Sequence, residues 1–582
     1  MSAAAPAFPH RICPSTGRVI ALQAEPLIKA NAVVSVVSLL IGAIAALLLV
    51  LTRWQAVHLL PAEWYYRILG VHGMNMLIFF IIYFEMAVLW FAGTALLNAR
   101  PAAPRLGWFS FGLMILGTLS VEWAQWTGRA DVLYTSYPPL KAHPALYIGV
   151  ILFAVGALIV CGQFFATITI AKREKTYEGS MPLVVYGAMT AAIIAVITLL
   201  HGAMIYIPTF LWSMGWIPAV DPEIYRMIWW ALGHSAQQIN VAAMVAIWYM
   251  LAALTVGGVV LNEKVSRSAF VLYILFISMA SAHHLLVDPG FGPAWKIVNT
   301  SYFMYMAVLA SMIHGFTVPA GMELGMRLRG YTEGLFGWLR RAPWGDPGFS
   351  GMVFSVVVFG FVGGITGVTI GTEQINILAH NTMRLPGHFH ATVVSGTAMA
   401  FMAATYYIIP LVFRKKVAFW GLAKAQPYMF AIGMLMVSMG MTFAGSFGVP
   451  RRHWDASFTD AMFDLQFNPA VDIALAVMGI GGILAVTGAF SFIAIAVKSV
   501  FFGEDLGTIT IGKAMVGVPQ GLTHPPVQPA NADELNAALH DESRGIMGAT
   551  PGTMVLVAVF LLAFIVYFFT NWKLLSSVWK VG

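Results

Sequence analysis

Long runs of apolar residues constrain the fold of this chain more than any other feature of its sequence. A helix needs about 20 apolar residues to cross about 30 Å of hydrocarbon. Charged residues make up only 10% of the 582 residues, against about 25% in soluble domains. Backbone polar groups in lipid must be satisfied within a helix or a closed barrel. We therefore predict an all-α integral membrane protein with thirteen spans, near 27–51, 69–97, 106–124, 144–171, 182–206, 224–252, 266–286, 297–320, 350–372, 387–413, 425–447, 470–502 and 552–570.

The distribution of basic residues predicts the orientation, because Lys and Arg accumulate in cytoplasmic loops. A cytoplasmic N-terminus puts 21 of the 32 Lys and Arg residues on the inner side. We expect a tail at 1–26 without a cleaved signal peptide, a twelve-helix core at 27–502, a cytoplasmic loop at 503–551, and a final helix with an outer C-terminus at 552–582. The net charge of +7 is thus a feature of topology and does not indicate a nucleic-acid partner.

Cysteine content excludes several cofactor classes. The chain has only Cys13, in the tail, and Cys161, within the fourth span. No Cys-x-x-Cys pair is present, so iron–sulfur clusters, zinc ribbons and covalently attached haem are not expected.

Six histidines provide the strongest functional prediction. With the predicted topology, all six fall in the outer half of the bilayer. Histidine is costly to bury in a membrane and usually marks function there, and neutral imidazole is a common ligand of haem iron and copper. They are His72, His234, His283, His284, His388 and His390.

Helix geometry divides these histidines between metals. Each helical residue advances about 100°, so His388 and His390 point about 200° apart and cannot bind the same metal. They can bind two irons on opposite faces of one helix, and His72 can complete a bis-histidine haem with one of them. Three imidazoles remain, and such a site favours copper over magnesium or calcium.

The motifs around these histidines resemble those of the catalytic subunit I of haem–copper oxygen reductases, in particular the B-type (ba3-like) branch. The stretches that carry the resemblance are Val71-His72-Gly73, Trp229-Trp230 through His234, His283-His284 with Asp288-Pro289-Gly290, His380-Asn381-Thr382, Pro386-Gly387-His388-Phe389-His390, Val449-Pro450-Arg451-Arg452, and Leu133-Tyr134-Thr135.

The resemblance implies a role for each matching residue. His72 and His390 would hold a low-spin haem and His388 a high-spin haem, with Arg451, Arg452 and His380 beside the haem propionates. His234, His283 and His284 would hold the second metal. A cupredoxin-like subunit II and an outer-face donor, such as cytochrome c or a blue-copper protein, would supply electrons in a prokaryotic inner membrane.

One position departs from that family. Its oxygen reductases carry a tyrosine one helical turn after the first metal histidine, covalently joined to it. Here the residue four after His234 is Gln238, on the same helix face. Cleaving O2 in one step takes four electrons, of which the tyrosine is thought to give one. Coupling two NO molecules to N2O needs two electrons and two protons, which two reduced metals can supply.

Gln238 therefore favours a nitric oxide reductase derived from the B-type branch, with oxygen reduction to water and proton translocation as the alternative. The better-known nitric oxide reductases use non-haem iron with an extra glutamate. The sixth span has no Asp or Glu between Arg226 and Leu251. We favour copper at the second site, with non-haem iron as the alternative.

Polar residues deeper in the membrane suggest a proton path, although helix-to-helix hydrogen bonding explains them as well. They are Tyr249, Ser311, His314, Thr317 and Glu85. A transporter or channel is the competing functional class. Such proteins tend to show internal repeats, and none is evident in this chain.

Overall fold

Twelve long apolar helices confirm the all-α membrane fold in the computed structural model, which describes residues 8–14, 16–277, 280–458, 462–463, 465–525 and 549–578. We number the helices α1 to α13 after the thirteen predicted spans, and α7 is the shortest of them. They are α1 Glu25–Arg53, α2 Ala62–Thr94, α3 Pro104–Trp126, α4 Pro144–Glu174, α5 Leu183–Ser213, α6 Pro222–Val256, α7 Glu263–Leu272, α8 Pro293–Leu328, α9 Pro347–Ile370, α10 Arg384–Phe413, α11 Trp420–Ser446, α12 Ala470–Phe502 and α13 Pro551–Val578.

The seventh predicted span, 266–286, is not one continuous helix among the described residues. Helix α7 continues as the π-helical segment Tyr273–Ile277 and, after residues 278–279, as the 3-10 helix Ala280–Leu285. Pro293 begins α8, so the chain turns within a few residues of the histidine pair. The structure therefore gives twelve long spans and one segmented span.

The remaining elements are small. A two-stranded antiparallel sheet of β1 (His10–Ile12) and β2 (Val19–Ala21) precedes α1, with Arg11 opposite Ile20. Short helices lie between the spans at Gly337–Arg340, Glu373–Ala379 and Gln520–Thr523.

Several spans contain π-helical turns, which occur frequently at functional sites. One of them, Met74–Phe80, begins two residues after His72 in α2. Another, His390–Ala398, begins within the histidine doublet of α10. The widened turns therefore coincide with two of the predicted haem-binding segments.

Close packing between consecutive helices builds the bundle. Helix α3 packs against α4, α5 against α6, and α11 against α12, while α1 contacts both α2 and α12. A Cβ atom at Gly117 would lie 2.4 Å from the carbonyl oxygen of Gly149, so α3 and α4 can approach closely only because this residue has no side chain. Helices α6 and α10 are the most deeply buried, and they carry three of the six histidines.

Buried polar contacts attach the peripheral helix α13 at both ends. Glu323 of α8 is fully buried and accepts hydrogen bonds from the backbone nitrogens of Gly552 (3.0 Å) and Thr553 (2.6 Å). It also pairs with Arg327 at 2.8 Å. At the other end, Arg384 donates to the side-chain oxygen of Asn571 at 2.6 Å.

We expect Glu323→Ala to loosen the attachment of α13. Removing one partner of a buried ion pair costs about 3–5 kcal/mol, since the remaining charge stays buried without its partner. The melting temperature of the detergent-purified protein should fall, and α13 should become more accessible to protease. Glu333→Ala, at an exposed residue of the following loop, is the matched control. Equal melting temperatures for the two variants would contradict the assigned role of Glu323.

Candidate haem and metal centre

The helix directions bring the six predicted histidines to one side of the bundle. Helices α2, α6 and α10 begin on that side, and the segmented seventh span ends there with Ala280–Leu285. Each of the six histidine residues is partly accessible although its helix lies within the bundle.

His72 and His390 form a facing pair of rings. Their ring centres are 6.3 Å apart and their planes differ by 8°. The Nδ1 atom of His72 bonds to the carbonyl oxygen of Gly42 (3.0 Å), and Nδ1 of His390 bonds to that of Pro386 (2.7 Å). A carbonyl only accepts, so each Nδ1 carries the proton and each Nε2 keeps a free lone pair.

The spacing of this pair fits a bis-histidine haem. Imidazole–metal bonds are about 2 Å long, and two such bonds together with the two ring radii place the ring centres about 6 Å apart. The observed 6.3 Å and the nearly parallel planes meet this requirement. The residues present therefore fit one six-coordinate haem between α2 and α10.

His388 faces away from this pair, toward α9. Its Nδ1 lies 3.0 Å from the carbonyl oxygen of Gly363 and 3.2 Å from Oγ1 of Thr366. A Cβ atom at Gly367 would come within 2.7 Å of the His388 ring, so the glycine provides the space for the ring. With Nδ1 protonated, Nε2 of His388 is the available ligand atom for a second haem.

His234, His283 and His284 form a separate three-imidazole cluster. One ligand atom from each lies within 4.8 Å of the others, and among the described residues the cluster includes no carboxylate or thiol. Nδ1 of His234 is 3.0 Å from Nε2 of His284. His388 is close enough to interact electrostatically with His283. The cluster and the candidate ligand of the second haem thus adjoin the same space.

Gln238 contacts the cluster from one helical turn below. Its side-chain amide nitrogen lies 3.0 Å from Nε2 of His234, on the side of the ring opposite the contact between Nδ1 and His284. An amide nitrogen only donates, so Nε2 of His234 accepts this hydrogen bond. Gln238 can therefore orient the His234 ring.

Cationic side chains lie at the boundary of the site. Arg451 donates twice to the side-chain oxygen of Asn381 (3.1 and 2.8 Å), and the Arg452 guanidinium lies 5.8 Å from the ring centre of Tyr134. Burial, and next the charge of Arg452, lowers the pKa of Arg451 to about 10. An anionic group beside these two arginines would be stabilised.

His380 lies near the same cationic group. Burial, and next the charge of Arg451, lowers the pKa of His380 to about 4, so its imidazole is neutral. Its buried Nδ1 has no hydrogen-bond partner within the described ranges. An unpaired buried nitrogen beside two arginines fits a carboxylate-bearing group such as a haem propionate.

Several contacts in the site have no sequence pattern that could have predicted them. The Trp230 ring stacks on His284, with ring centres 3.8 Å apart and planes within 8°. The carbonyls of Gly42 and Gly363 come from α1 and α9, the helices that precede those of His72 and His388. Arg53 holds the arginine segment by donating to the carbonyl of Pro450 at 2.9 Å.

Four of the five residues in the predicted proton path lie in or next to one hydrogen-bonded cluster. The Tyr249 hydroxyl contacts Thr317 (2.7 Å), Nδ1 of His314 (3.0 Å) and the hydroxyl of Ser266 (3.1 Å). Ser311 bonds to the hydroxyl of Tyr273 at 3.0 Å, and the Tyr273 ring lies 5.6 Å from that of His314. Sequence analysis did not predict Ser266 or Tyr273.

Glu85, the fifth residue of that prediction, is bonded elsewhere. Its carboxyl oxygen lies 3.0 Å from the side-chain nitrogen of Asn240 when the amide is oriented to donate. The residue is buried. It is therefore separate from the Tyr249 cluster in its hydrogen bonding.

Comparison with known proteins gives consistent matches along most of the chain. A family model described as cytochrome c and quinol oxidase polypeptide I matches residues 27–496. Cytochrome c oxidase subunit 1 of Thermus thermophilus is 32% identical over 431 residues, covering 72% of this chain and 75% of that relative. Ubiquinol oxidase subunit 1 of Acetobacter aceti is 23% identical, covering 74% and 62%. A solved heme-copper terminal oxidase dimer superimposes with a TM-score of 0.79 at 25% identity, covering 94% of this chain and 92% of that one.

We expect His234→Ala to remove the second metal without disturbing the His72–His390 pair. Loss of a single supporting contact already weakens metal affinity about 10–100-fold, and loss of a ligand should cost more. Elemental analysis should show less of the second metal per chain, while the visible spectrum of the bis-histidine haem persists. His201→Ala is the control, because within the described part of the chain His201 bonds to its own helix, at the carbonyl of Ile197 (2.9 Å). Full metal loading of the His234 variant would refute the assignment.

Proposed function

The chain belongs to the cytochrome c and quinol oxidase polypeptide I family of haem–copper oxidases, and on that basis we propose that it reduces a diatomic gas between His388 and the three-histidine cluster. Family membership makes it a multi-pass membrane oxidoreductase subunit. Two haems and a second metal, when bound, would supply electrons and bind the gas. The chain would hold them through His72 and His390, His388, and the cluster of His234, His283 and His284.

Copper is the second metal that we propose. Imidazole ligands suit copper, and iron sites of this kind usually include a carboxylate. The three histidines have no acidic partner among the described residues. Non-haem iron remains the alternative.

The observation that carries the proposed substrate is the Gln238 amide at 3.0 Å from His234. A glutamine there can orient the ring but cannot supply an electron. The next tyrosine in α6 is Tyr249, eleven residues and about 16 Å further along the helix axis. Reduction of two NO to N2O and water takes up two electrons and two protons and needs no redox-active side chain. We therefore favour NO as the substrate.

Oxygen reduction is the second candidate, and the named relatives support it better than they support NO reduction. Those relatives are cytochrome c oxidases and a ubiquinol oxidase. The 32% identity to the Thermus thermophilus protein supports the proposed ba3-like branch. An oxygen reductase with this pocket would need its fourth electron from a residue other than position 238.

Electrons would enter on the side where the histidines lie. We propose a cupredoxin-like subunit II there, with cytochrome c or a blue-copper protein as donor. The distribution of Lys and Arg supports placing this side outward in a prokaryotic inner membrane. In the same scheme 1–26 and 503–551 are cytoplasmic, 27–502 forms the catalytic core, and 552–582 carries the last helix.

Protons would come from the opposite side through the Tyr249 cluster. The hydroxyls of Ser266 and Thr317 and the imidazole of His314 lie within 2.7–3.1 Å of the Tyr249 hydroxyl. Such groups can pass a proton when each changes between donating and accepting a hydrogen bond. Both NO and O2 reduction take up protons, so this role does not depend on the substrate. Glu85 with Asn240 would form a separate element of proton transfer.

The substrate assignment can be tested with Gln238→Tyr and Gln238→Leu. If the site reduces NO, the wild type should turn over NO faster than O2. Gln238→Leu should lower second-metal affinity about 10–100-fold, because it removes the contact that orients His234. Gln238→Tyr should change the ratio of O2 to NO turnover. Steady-state rates with both gases, alongside copper and iron analysis, measure these effects.

Gln237→Leu is the matched control, since the neighbouring glutamine lies about 100° away on the helix. It should leave metal content and both turnover rates unchanged. Faster O2 than NO turnover in the wild type would support oxygen reduction instead. A colourless protein, without the Soret band of haem, would contradict the reduction of either gas and would favour a transporter.

We expect Tyr249→Phe to slow turnover with either gas, because the ring keeps its packing but loses the hydroxyl shared by Ser266, His314 and Thr317. General acid–base steps contribute about 10²–10⁴-fold to rates, so a drop of at least tenfold is expected. The solvent deuterium isotope effect on turnover should rise. Tyr186→Phe, at a half-buried tyrosine of α5, is the control. An unchanged rate in Tyr249→Phe would exclude this path.

A further inference from the structure

A membrane-facing groove lies far from the histidines, on the side where α1 begins. It is formed by α1, α2, α10 and α12. Thr405 is the single polar residue of its lining, which otherwise consists of valine, isoleucine, alanine and phenylalanine. Val37 and Phe501 at its edge are 51% and 59% exposed. The groove is therefore open to the hydrocarbon of the bilayer.

Lysines from two helices flank the mouth of this groove. Lys29 of α1 lies one turn before the lining residue Val33, and its ammonium is 5.6 Å from the ring of the lining residue Phe413. Lys498 of α12 adjoins the lining residue Val497 and extends to 5.5 Å from the Phe502 ring. Each ammonium group thus lies beside a phenylalanine ring, Phe413 for Lys29 and Phe502 for Lys498.

The local charge at the mouth is positive. Glu25 is shared by Lys29 (2.6 Å) and Arg11 (2.8 Å), so this group keeps one positive charge in excess. Lys498 forms no ion pair within the described part of the chain. Arg414, directly after Phe413, is exposed and interacts electrostatically with Asp505. No acidic residue lies among the described lining residues of the groove to balance Lys29 and Lys498.

We propose that the groove binds one anionic phospholipid, with its phosphate between Lys29 and Lys498 and the first part of an acyl chain against α1 and α12. The lining extends from Ala32 to Val37, about 8 Å along the helix axis, and it gives the first part of an acyl chain an apolar surface to pack against. A lysine near a membrane surface attracts an anionic lipid by about 1 kcal/mol. The combination of an apolar slot with excess cations at its mouth matches an anionic amphiphile.

The positive charges at the mouth also distinguish an anionic phospholipid from two other candidate occupants, a quinone and a helix of another subunit. A quinone has an uncharged ring and gains little from two lysines. A hydrophobic helix of another subunit would fill the slot but would place no anion at its mouth. Dependence on the headgroup is therefore the property that distinguishes the proposed lipid.

The test uses the full-length protein, purified in detergent and washed with phosphatidylglycerol or phosphatidylcholine micelles. Extracted lipid is quantified per chain by mass spectrometry. The wild type should retain phosphatidylglycerol in preference to phosphatidylcholine. Lys29→Gln or Lys498→Gln should weaken retention about fivefold each and about thirtyfold together, from about 1 kcal/mol per lysine. Ala32→Phe should also reduce retention, because the ring occupies the slot.

Lys172→Gln with Lys264→Gln is the matched control, since both lysines are exposed on the same side but lie outside the groove. This pair should retain lipid like the wild type. Circular dichroism establishes that each variant is folded. The proposal would be overturned if the wild type retained the two lipids equally, or if the Lys29 and Lys498 variants retained as much lipid as the wild type. It would also be overturned if the wild type held one quinone per chain and Ala32→Phe lost that quinone.

Discussion

Hydrogen bonds between imidazole Nδ1 and backbone carbonyls determine what this membrane bundle can hold. His72, His388 and His390 each direct Nδ1 to a carbonyl oxygen, from Gly42, Gly363 and Pro386. Burying an imidazole in an apolar interior is costly unless its polar atoms are paired, and each of these bonds pairs one nitrogen. It also fixes the proton there and leaves Nε2 with a lone pair. The carbonyls thereby stabilise the buried rings and prepare them as ligands.

The hydrogen bonds of His234 in the three-histidine cluster differ from those of His72, His388 and His390, and one of them involves Gln238. Among the described residues, Nδ1 of His234 faces His284 and not a backbone carbonyl, and the amide of Gln238 contacts Nε2. The ring is held from the opposite nitrogen, and we propose that Gln238 thereby orients His234 and limits the redox chemistry available beside it. The family relationship defines the class of site, whereas the proposed choice between NO and O2 rests on this contact. Trp230, stacked on His284, completes the support of the cluster.

The fold was predictable in outline because length and hydropathy restrict what can cross a bilayer. All twelve long helices lie at predicted spans, and α12, at Ala470–Phe502, has the predicted bounds. The seventh span was predicted as one helix and consists of shorter segments among the described residues, since hydropathy does not report whether helical hydrogen bonding continues. The grouping of the six histidines was also accessible, because topology places them at one level and a 200° separation divides His388 from His390.

By itself, the sequence determined the class of fold, the end of the bundle at which the histidines gather, and the position of Gln238 one helical turn after His234. These follow from local composition and from helix periodicity, which act within one segment. Only the tertiary structure decided which atoms meet: the carbonyls of Gly42 and Gly363 with the rings of His72 and His388 on neighbouring helices, Asn240 with Glu85, and Tyr273 and Ser266 in the Tyr249 cluster. Such pairings depend on the rotation and depth of one helix relative to another. Side-chain packing between helices fixes those quantities, and no single segment encodes them.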